Sequence, residues 1–236
     1  MLKNIFHPGR PAVQKFLLWL LRRAVKLLLR FEISHAHRLP AAGPVVVVIN
    51  HIAWLDPVMA VAGLSRLVIP MAKKEIFGYF LLGALVKAYG AIPVSRSEAD
   101  LAAIKTALQI LKQNGVVLLA PEGTRSPACR LQPGKDGAVL LALRSNAPIV
   151  PVGVTGTERV NRGWRQFKRA SVHLNVGPPF RLCPPPGGKA TRADIEQMTQ
   201  AMMHRLARQL PPEFRGVYHN PADAPESRLQ PDAPHQ

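Results

Sequence analysis

Cysteine and acidic residues are the scarce types in this chain. Its two cysteines, Cys129 and Cys183, lie far apart and form no C-x-x-C pair, so the thiols read as incidental and the compartment as a reduced cytoplasm. Only 14 Asp and Glu stand against 31 Lys and Arg, a net charge of +17. Such an excess points to an anionic partner: nucleic acid, an anionic membrane or a phosphorylated substrate. Aromatic residues are also few, at 6%, and no nucleic-acid-recognition motif occurs, which counts against a basic nucleic-acid-binding module. No apolar run reaches the ~20 residues of a membrane span, because Arg22, Arg23, Lys26 and Arg30 break up the stretch that begins at Phe16. No serine or cysteine sits in a recognisable nucleophile elbow, so a catalytic base in this chain would need a substrate that brings its own nucleophile.

What is present is a folded composition. The 236 residues, 47% of them hydrophobic, suffice for one domain with a full core. Short apolar runs alternate with helical patterns, as an α/β architecture requires. Strands are expected at 45–49, 67–69, 92–94, 116–119, 149–155 and 171–176, and helices at 76–89, 97–114, 136–146 and 191–209. Ser97 with Asp100, and Thr191 with Asp194, have the spacing of capping boxes. Residues 184–188 read as a linker, and residues 211–236, polar and rich in proline, as a disordered tail. The division expected is therefore 1–39, an N-terminal amphipathic helix; 40–210, the domain; and 211–236, the tail.

At the N-terminus, Lys15, Arg22, Arg23, Lys26 and Arg30 share one arc of a helical wheel, with Leu17, Leu20, Leu21, Val25, Leu27, Leu28 and Phe31 around the rest. A narrow cationic stripe beside a wide leucine face suits a membrane interface, attached but not spanning. The alternative is a helix packed on the protein's own core. The apolar helix at 76–89 carries the same choice between core burial, a groove for an acyl chain, and contact with a membrane.

The chemistry-bearing residues follow the buried strands. Asn50-His51-Ile52-Ala53-Trp54-Leu55-Asp56 comes directly after Val45–Ile49. A histidine at the carboxyl end of a buried strand, with a carboxylate five residues on, gives a general base and a group to orient it. Asp56 before Pro57 also has the signature of a helix N-cap, and one carboxylate can serve both roles. Pro121-Glu122-Gly123-Thr124-Arg125-Ser126 follows a second buried strand and offers a glycine, a hydroxyl and an Arg fork in one turn, a plausible phosphate cradle. Gly90-Ala91-Ile92-Pro93-Val94-Ser95-Arg96 ends in an Arg able to reach an anion, and Val150-Pro151-Val152 reads as a strand start. His35 and His37 lack companion metal ligands.

Together, in this order, these four blocks resemble the glycerolipid acyltransferase family of the 1-acylglycerol-3-phosphate acyltransferase type, over roughly residues 40–180. The resemblance implies a single acyltransferase domain with a central mixed sheet flanked by helices, and transfer of an acyl group from a thioester to a lipid hydroxyl. It implies His51 as general base, Asp56 as its orienting partner, and Arg96, Glu122, Gly123, Thr124 and Arg125 as recognising the acceptor's phosphate region. No cofactor or metal is implied beyond the co-substrate, a coenzyme A or acyl carrier protein thioester. The implied partners are a lysophospholipid and an anionic membrane at its cytoplasmic face. Lysophosphatidate is the first acceptor, with another lysolipid such as lyso-ornithine lipid as the rival. Three departures bear on the acceptor: Ser95 before Arg96, Ala120 before the third block, and Leu131-Gln132-Pro133-Gly134-Lys135-Asp136-Gly137 in place of F-K-x-G, with Lys135 and Gly137 read as its variant.

Overall fold

A computed structural model describes residues 10–95, 100–185, 190–220, 223–225 and 229–232. Its centre is β2 (Val45–Ile49), five β-branched residues with no exposed surface. Burying each such side chain contributes about 1.5–3 kcal/mol, so this strand anchors the core. Around it the main path of the sheet runs β1 (Arg30–Ser34), β7 (Ser171–Val176), β6 (Ile149–Thr155), β2, β5 (Val116–Leu119), β3 (Val68–Lys73), β4 (Ile92–Val94). β2 is parallel to both β5 and β6, while β6 and β7 pair antiparallel, so the sheet is mixed.

Alternation along β2 assigns its two faces. Val45, Val47 and Ile49 pack with α1 (Pro11–Leu28) and α2 (Asp56–Gly63). Val46 and Val48 face the opposite core, built with α4 (Leu101–Lys112), α5 (Gly137–Ser145) and α7 (Arg192–Ala207). The remaining elements are α3 (Phe80–Tyr89), α6 (Val160–Arg165), β8 (Phe180–Leu182) and β9 (Leu229–Pro231). The Thr191–Asp194 capping box opens α7 as its spacing predicts. Asp100 caps α4 by accepting from Ala103 N at 3.0 Å, while Ser97 lies outside the described residues.

Three expectations are corrected. Residues 30–34 belong to the sheet and not to an N-terminal appendage, since β1 pairs with β7 along five residues. The sequence Arg-Phe-Glu-Ile-Ser alternates as a strand does, a signal hidden when the helical wheel is run through Phe31. The helix expected from residue 76 starts at Phe80, after a 3-10 turn over Lys74–Gly78. The chain after Pro211 is ordered where it is described: 3-10 turns span Pro212–Phe214 and Gly216–Tyr218, Tyr218 is buried in the core, and β9 pairs with β8. Tyr218 docks that segment together with Phe214 and Leu229, which pack against the same core.

The N-terminal helix has two different flanks. Leu18 and Val25 are buried against the domain. Arg22 leaves the expected cationic stripe: its guanidinium donates to Ala62 O at 3.0 Å and Leu64 O at 2.7 Å, satisfying carbonyls at the end of α2. The outward flank exposes Phe16, Trp19, Leu20, Leu27 and Leu28.

Candidate active site

Three neighbouring parallel strands, in the order β6, β2, β5, end side by side, and the residues that follow them converge. Asn50 locks the end of β2 to β6 through an amide pair: Nδ2 donates to Val154 O at 2.8 Å, and Val154 N donates to Oδ1 at 2.7 Å. The turn that follows carries His51, whose Nδ1 lies 3.2 Å from Asp56 Oδ2. With Nδ1–H donating to the carboxylate, the neutral imidazole leaves its Nε2 lone pair free to take a proton.

Asp56 is fully buried, and each of its oxygens has donors. Oδ2 accepts from Ile52 N at 2.6 Å and Ala53 N at 2.7 Å as well as from His51, and Oδ1 accepts from the Thr157 hydroxyl at 2.5 Å. The helix begins at Asp56 itself, and the carboxylate turns back onto the preceding turn, away from the helix's own first N–H groups. The N-cap reading of Asp56 is therefore corrected: it closes the His51 turn. Thr157 follows β6, brought there by Gly156 at φ +88°, where a Cβ would lie 2.0 Å from Ser171 O.

Glu122, after β5, is 2% exposed and holds two segments together. Its Oε1 accepts from His51 N at 2.8 Å and its Oε2 from Gln132 N at 3.0 Å, while Ser126 N donates to His51 O at 2.8 Å. This placement gives Glu122 a contact of its own beside the phosphate recognition that the resemblance implies: a buried carboxyl engaged by two backbone donors braces the His51 backbone. Burial pushes its pKa up to about 7, against the pull of the Gln132 and His51 N–H groups and the His51 charge.

Comparison with known proteins agrees with this architecture. A family model described as Acyltransferase matches residues 30–155, from β1 to the end of β6. The chain belongs to the acyltransferase family. The 1-acyl-sn-glycerol-3-phosphate acyltransferase of Bacillus subtilis is 32% identical over 150 residues, covering 63% of this chain and 73% of that protein. The enzyme of that name from Streptococcus pneumoniae is 29% identical over 172 residues, covering 72% and 59%; the one from Limnanthes alba is 38% identical over 130 residues, covering 53% and 42%. The chain thus spans less than two thirds of the length of the last two. The fold matches the crystal structure of the 1-acyl-sn-glycerophosphate acyltransferase from Thermotoga maritima, with a TM-score of 0.61 at 21% identity over 79% of this chain and 74% of that one.

Thr124 and Arg125, expected to recognise the acceptor's phosphate, are exposed in the loop after β5. Gly123 has φ +70°, and a Cβ there would lie 3.0 Å from Lys135 Nζ, so the lysine rests against the turn and adds a cation to it. Arg96 lies outside the described residues. Cys129 stands in the same loop, and burial raises its thiol pKa, with the charges of Glu158 and Asp56 adding to the rise. A thiol held protonated is a poor nucleophile, so the acyltransferase has no thiolate to offer here. The residue that sequence reading missed is Thr157. Nothing in Gly-Thr-Glu marks it, and its role exists only because β6 lies beside β2.

Proposed function

We propose that this protein transfers a fatty acyl group from an acyl thioester to the free hydroxyl of a lysophospholipid, with 1-acylglycerol-3-phosphate as the acceptor and phosphatidate as the product. The observation that carries the reading is the His51–Asp56–Thr157 arrangement: a base whose orienting carboxylate is held in turn by a buried hydroxyl. His51 Nε2 takes the proton of the acceptor hydroxyl as its oxygen attacks the thioester carbonyl. Asp56 stabilises the imidazolium without taking the proton. The tetrahedral intermediate collapses with cleavage of the C–S bond, and the imidazolium returns the proton to the departing thiolate. Arg125, Thr124 and Lys135, with Arg96, supply the positive field for the acceptor's phosphate. The names of the relatives support lysophosphatidate as the acceptor. The thioester is that of coenzyme A or of acyl carrier protein.

The reaction is placed at a cytoplasmic membrane surface. Among the described residues no helix is long and apolar enough to cross a membrane. The outward flank of α1 supports attachment without crossing: Phe16 and Trp19 stack at 6.1 Å, and the Arg23 guanidinium lies over the Trp19 ring at 5.6 Å. Phe80, Leu81 and Leu82, at the start of α3 and beyond the end of β3, are exposed as well.

The test is the purified protein assayed with lysophosphatidate, lyso-ornithine lipid and other lysolipids, with both thioester donors, products being read by mass spectrometry. Phosphatidate is expected to dominate. His51→Ala is expected to lower turnover about 10²–10⁴-fold with the fold intact. Turnover near wild type in that variant would remove the general-base assignment, and preference for another lysolipid would replace the acceptor. In the same preparation, Phe16→Ser/Trp19→Ser should release the protein from phosphatidylglycerol vesicles. Full co-sedimentation would show that α1 is not the anchor.

A further inference from the structure

The loop that carries Glu122, residues 121–136, has no regular secondary structure, yet it must hold a buried carboxylate against the His51 backbone. Part of what holds it is local: Gly123 N donates to Ala120 O at 3.0 Å and Lys135 N to Pro121 O at 2.9 Å. Other contacts come from the far end of the chain. Leu131 N donates to Phe214 O at 2.9 Å, Val217 N donates to Leu131 O at 3.4 Å, and Gly134 N donates to the Tyr218 hydroxyl at 3.0 Å. These contacts straddle Gln132, the residue whose N–H holds Glu122 Oε2.

The close approach needs its glycines. At Gly216, φ +53°, a Cβ would lie 2.0 Å from Leu131 O, so any side chain would push the two segments apart. A Cβ on Gly134 would lie 2.5 Å from Met203 Cγ, so the loop is pressed onto α7 from the other side. Tyr218 is 3% exposed, and its ring meets the His204 imidazole edge-on at 5.1 Å, which fixes the direction of its hydroxyl. The electrostatics place that hydroxyl near the site. Burial pushes the phenol's pKa up, its bond with Gly134 pulls it back, and the Glu122 charge adds to the rise.

We propose that the Gly216–Tyr218 turn is a positioning element of the acyl-transfer site, a strap from the C-terminal segment that seats residues 131–134 so that Gln132 N–H, the Glu122 carboxylate and the His51 backbone stay in line. This rests on the acyl-transfer reading of His51. Tyr218 and Gly216 touch neither acceptor nor donor; they act through the loop.

Tyr218→Phe keeps the ring on His204 and removes only the hydroxyl. It is expected to lower kcat about fivefold while both KM values stay within about twofold, the pattern of a lost alignment and not of lost binding. Amide hydrogen exchange at Gln132 and His51 should rise about tenfold, the loss of roughly one neutral hydrogen bond. Gly216→Ala should do both more strongly. Unchanged exchange at Gln132 overturns the strap. So does faster exchange with unchanged kcat, and so does a fall in melting temperature alone, which marks a merely structural role. If the wild-type protein transfers no acyl group to any acceptor, the acyl-transfer reading fails, and the exchange measurement still decides whether the turn holds the loop.

Discussion

The two turns that meet at the candidate site are held by opposite means. The turn after β2 closes largely on itself: Asp56 takes the N–H groups of Ile52 and Ala53 and the ring of His51, all within five residues. The loop after β5 adds to its local bonds a set of outside holds, from His51 through Glu122, from Phe214 and Val217 through Leu131, and from Tyr218 through Gly134. A self-closed turn travels with its short motif, because the geometry is written in the spacing. A loop held from afar depends on contacts far along the chain, so the same short motif can be seated differently in another protein.

The largest effect is expected where the self-closed turn carries the chemistry. Asp56→Asn keeps an oxygen that can accept from Ile52 N and Ala53 N, and the Thr157 hydroxyl can rotate to accept from the new amide. The turn should therefore persist, with a melting temperature close to wild type. What disappears is the negative charge that stabilises the imidazolium, and turnover should fall by about 10³–10⁴. A variant that keeps its activity would reduce Asp56 to the architecture of the turn.

A smaller effect is expected where the Asp56 carboxylate borrows a donor from beyond this turn. Thr157→Val removes the donor to Asp56 Oδ1 and leaves a buried carboxylate oxygen unsatisfied. Such a loss costs about 1–3 kcal/mol of stability, and a drop of roughly tenfold in kcat should accompany it as Asp56 loosens its hold on His51. Thr157→Ser should recover both in urea unfolding and in single-turnover assays. If valine performs as well as threonine, the turn is wholly self-sufficient and the contrast between the two regions sharpens.

The same contrast explains what was legible in the sequence. The five-residue strand before Asn50, the His51–Asp56 spacing and the Thr191–Asp194 box are local patterns, and each stands in the fold where the pattern puts it. The failures are non-local. Glu122 stands beside Arg125 in the sequence, and only the meeting of β5 with β2 turns its carboxylate onto His51 N. Arg22 falls on a cationic stripe in a helical wheel, yet its fork is taken by carbonyls at the end of α2. Tyr218 stands in a polar, proline-rich stretch with no periodicity, so nothing local shows that it reaches Gly134. Thr157 is silent for the same reason.

The smallest effect on turnover near neutral pH, and the one that best separates the two regions, is expected at Glu122. Its folded-state pKa is raised from 4.5 to about 7, chiefly by burial. The folded protein thus binds this proton more tightly than the unfolded chain does. The stability that Glu122 contributes is fully present below about 4.5 and is lost as pH rises through about 7, in total roughly 3 kcal/mol. His204 works in the opposite sense: burial lowers its pKa below 6.5, so its contribution is present above that value and fades as pH falls. A wild-type stability curve therefore sums opposing slopes, and the informative quantity is the difference from Glu122→Gln, in which His204 cancels. Glutamine sets an amide N–H against the N–H of either His51 or Gln132, so the variant should be less stable at pH 5, with kcat down a few fold. That deficit should shrink by roughly 3 kcal/mol between pH 5 and pH 8 in urea unfolding, as wild type loses its proton and the variant has none to lose. Parallel curves for Glu122→Gln and wild type would mean that Glu122 does not ionise in this range, and the loop after β5 would then hold its brace by packing and backbone contacts alone.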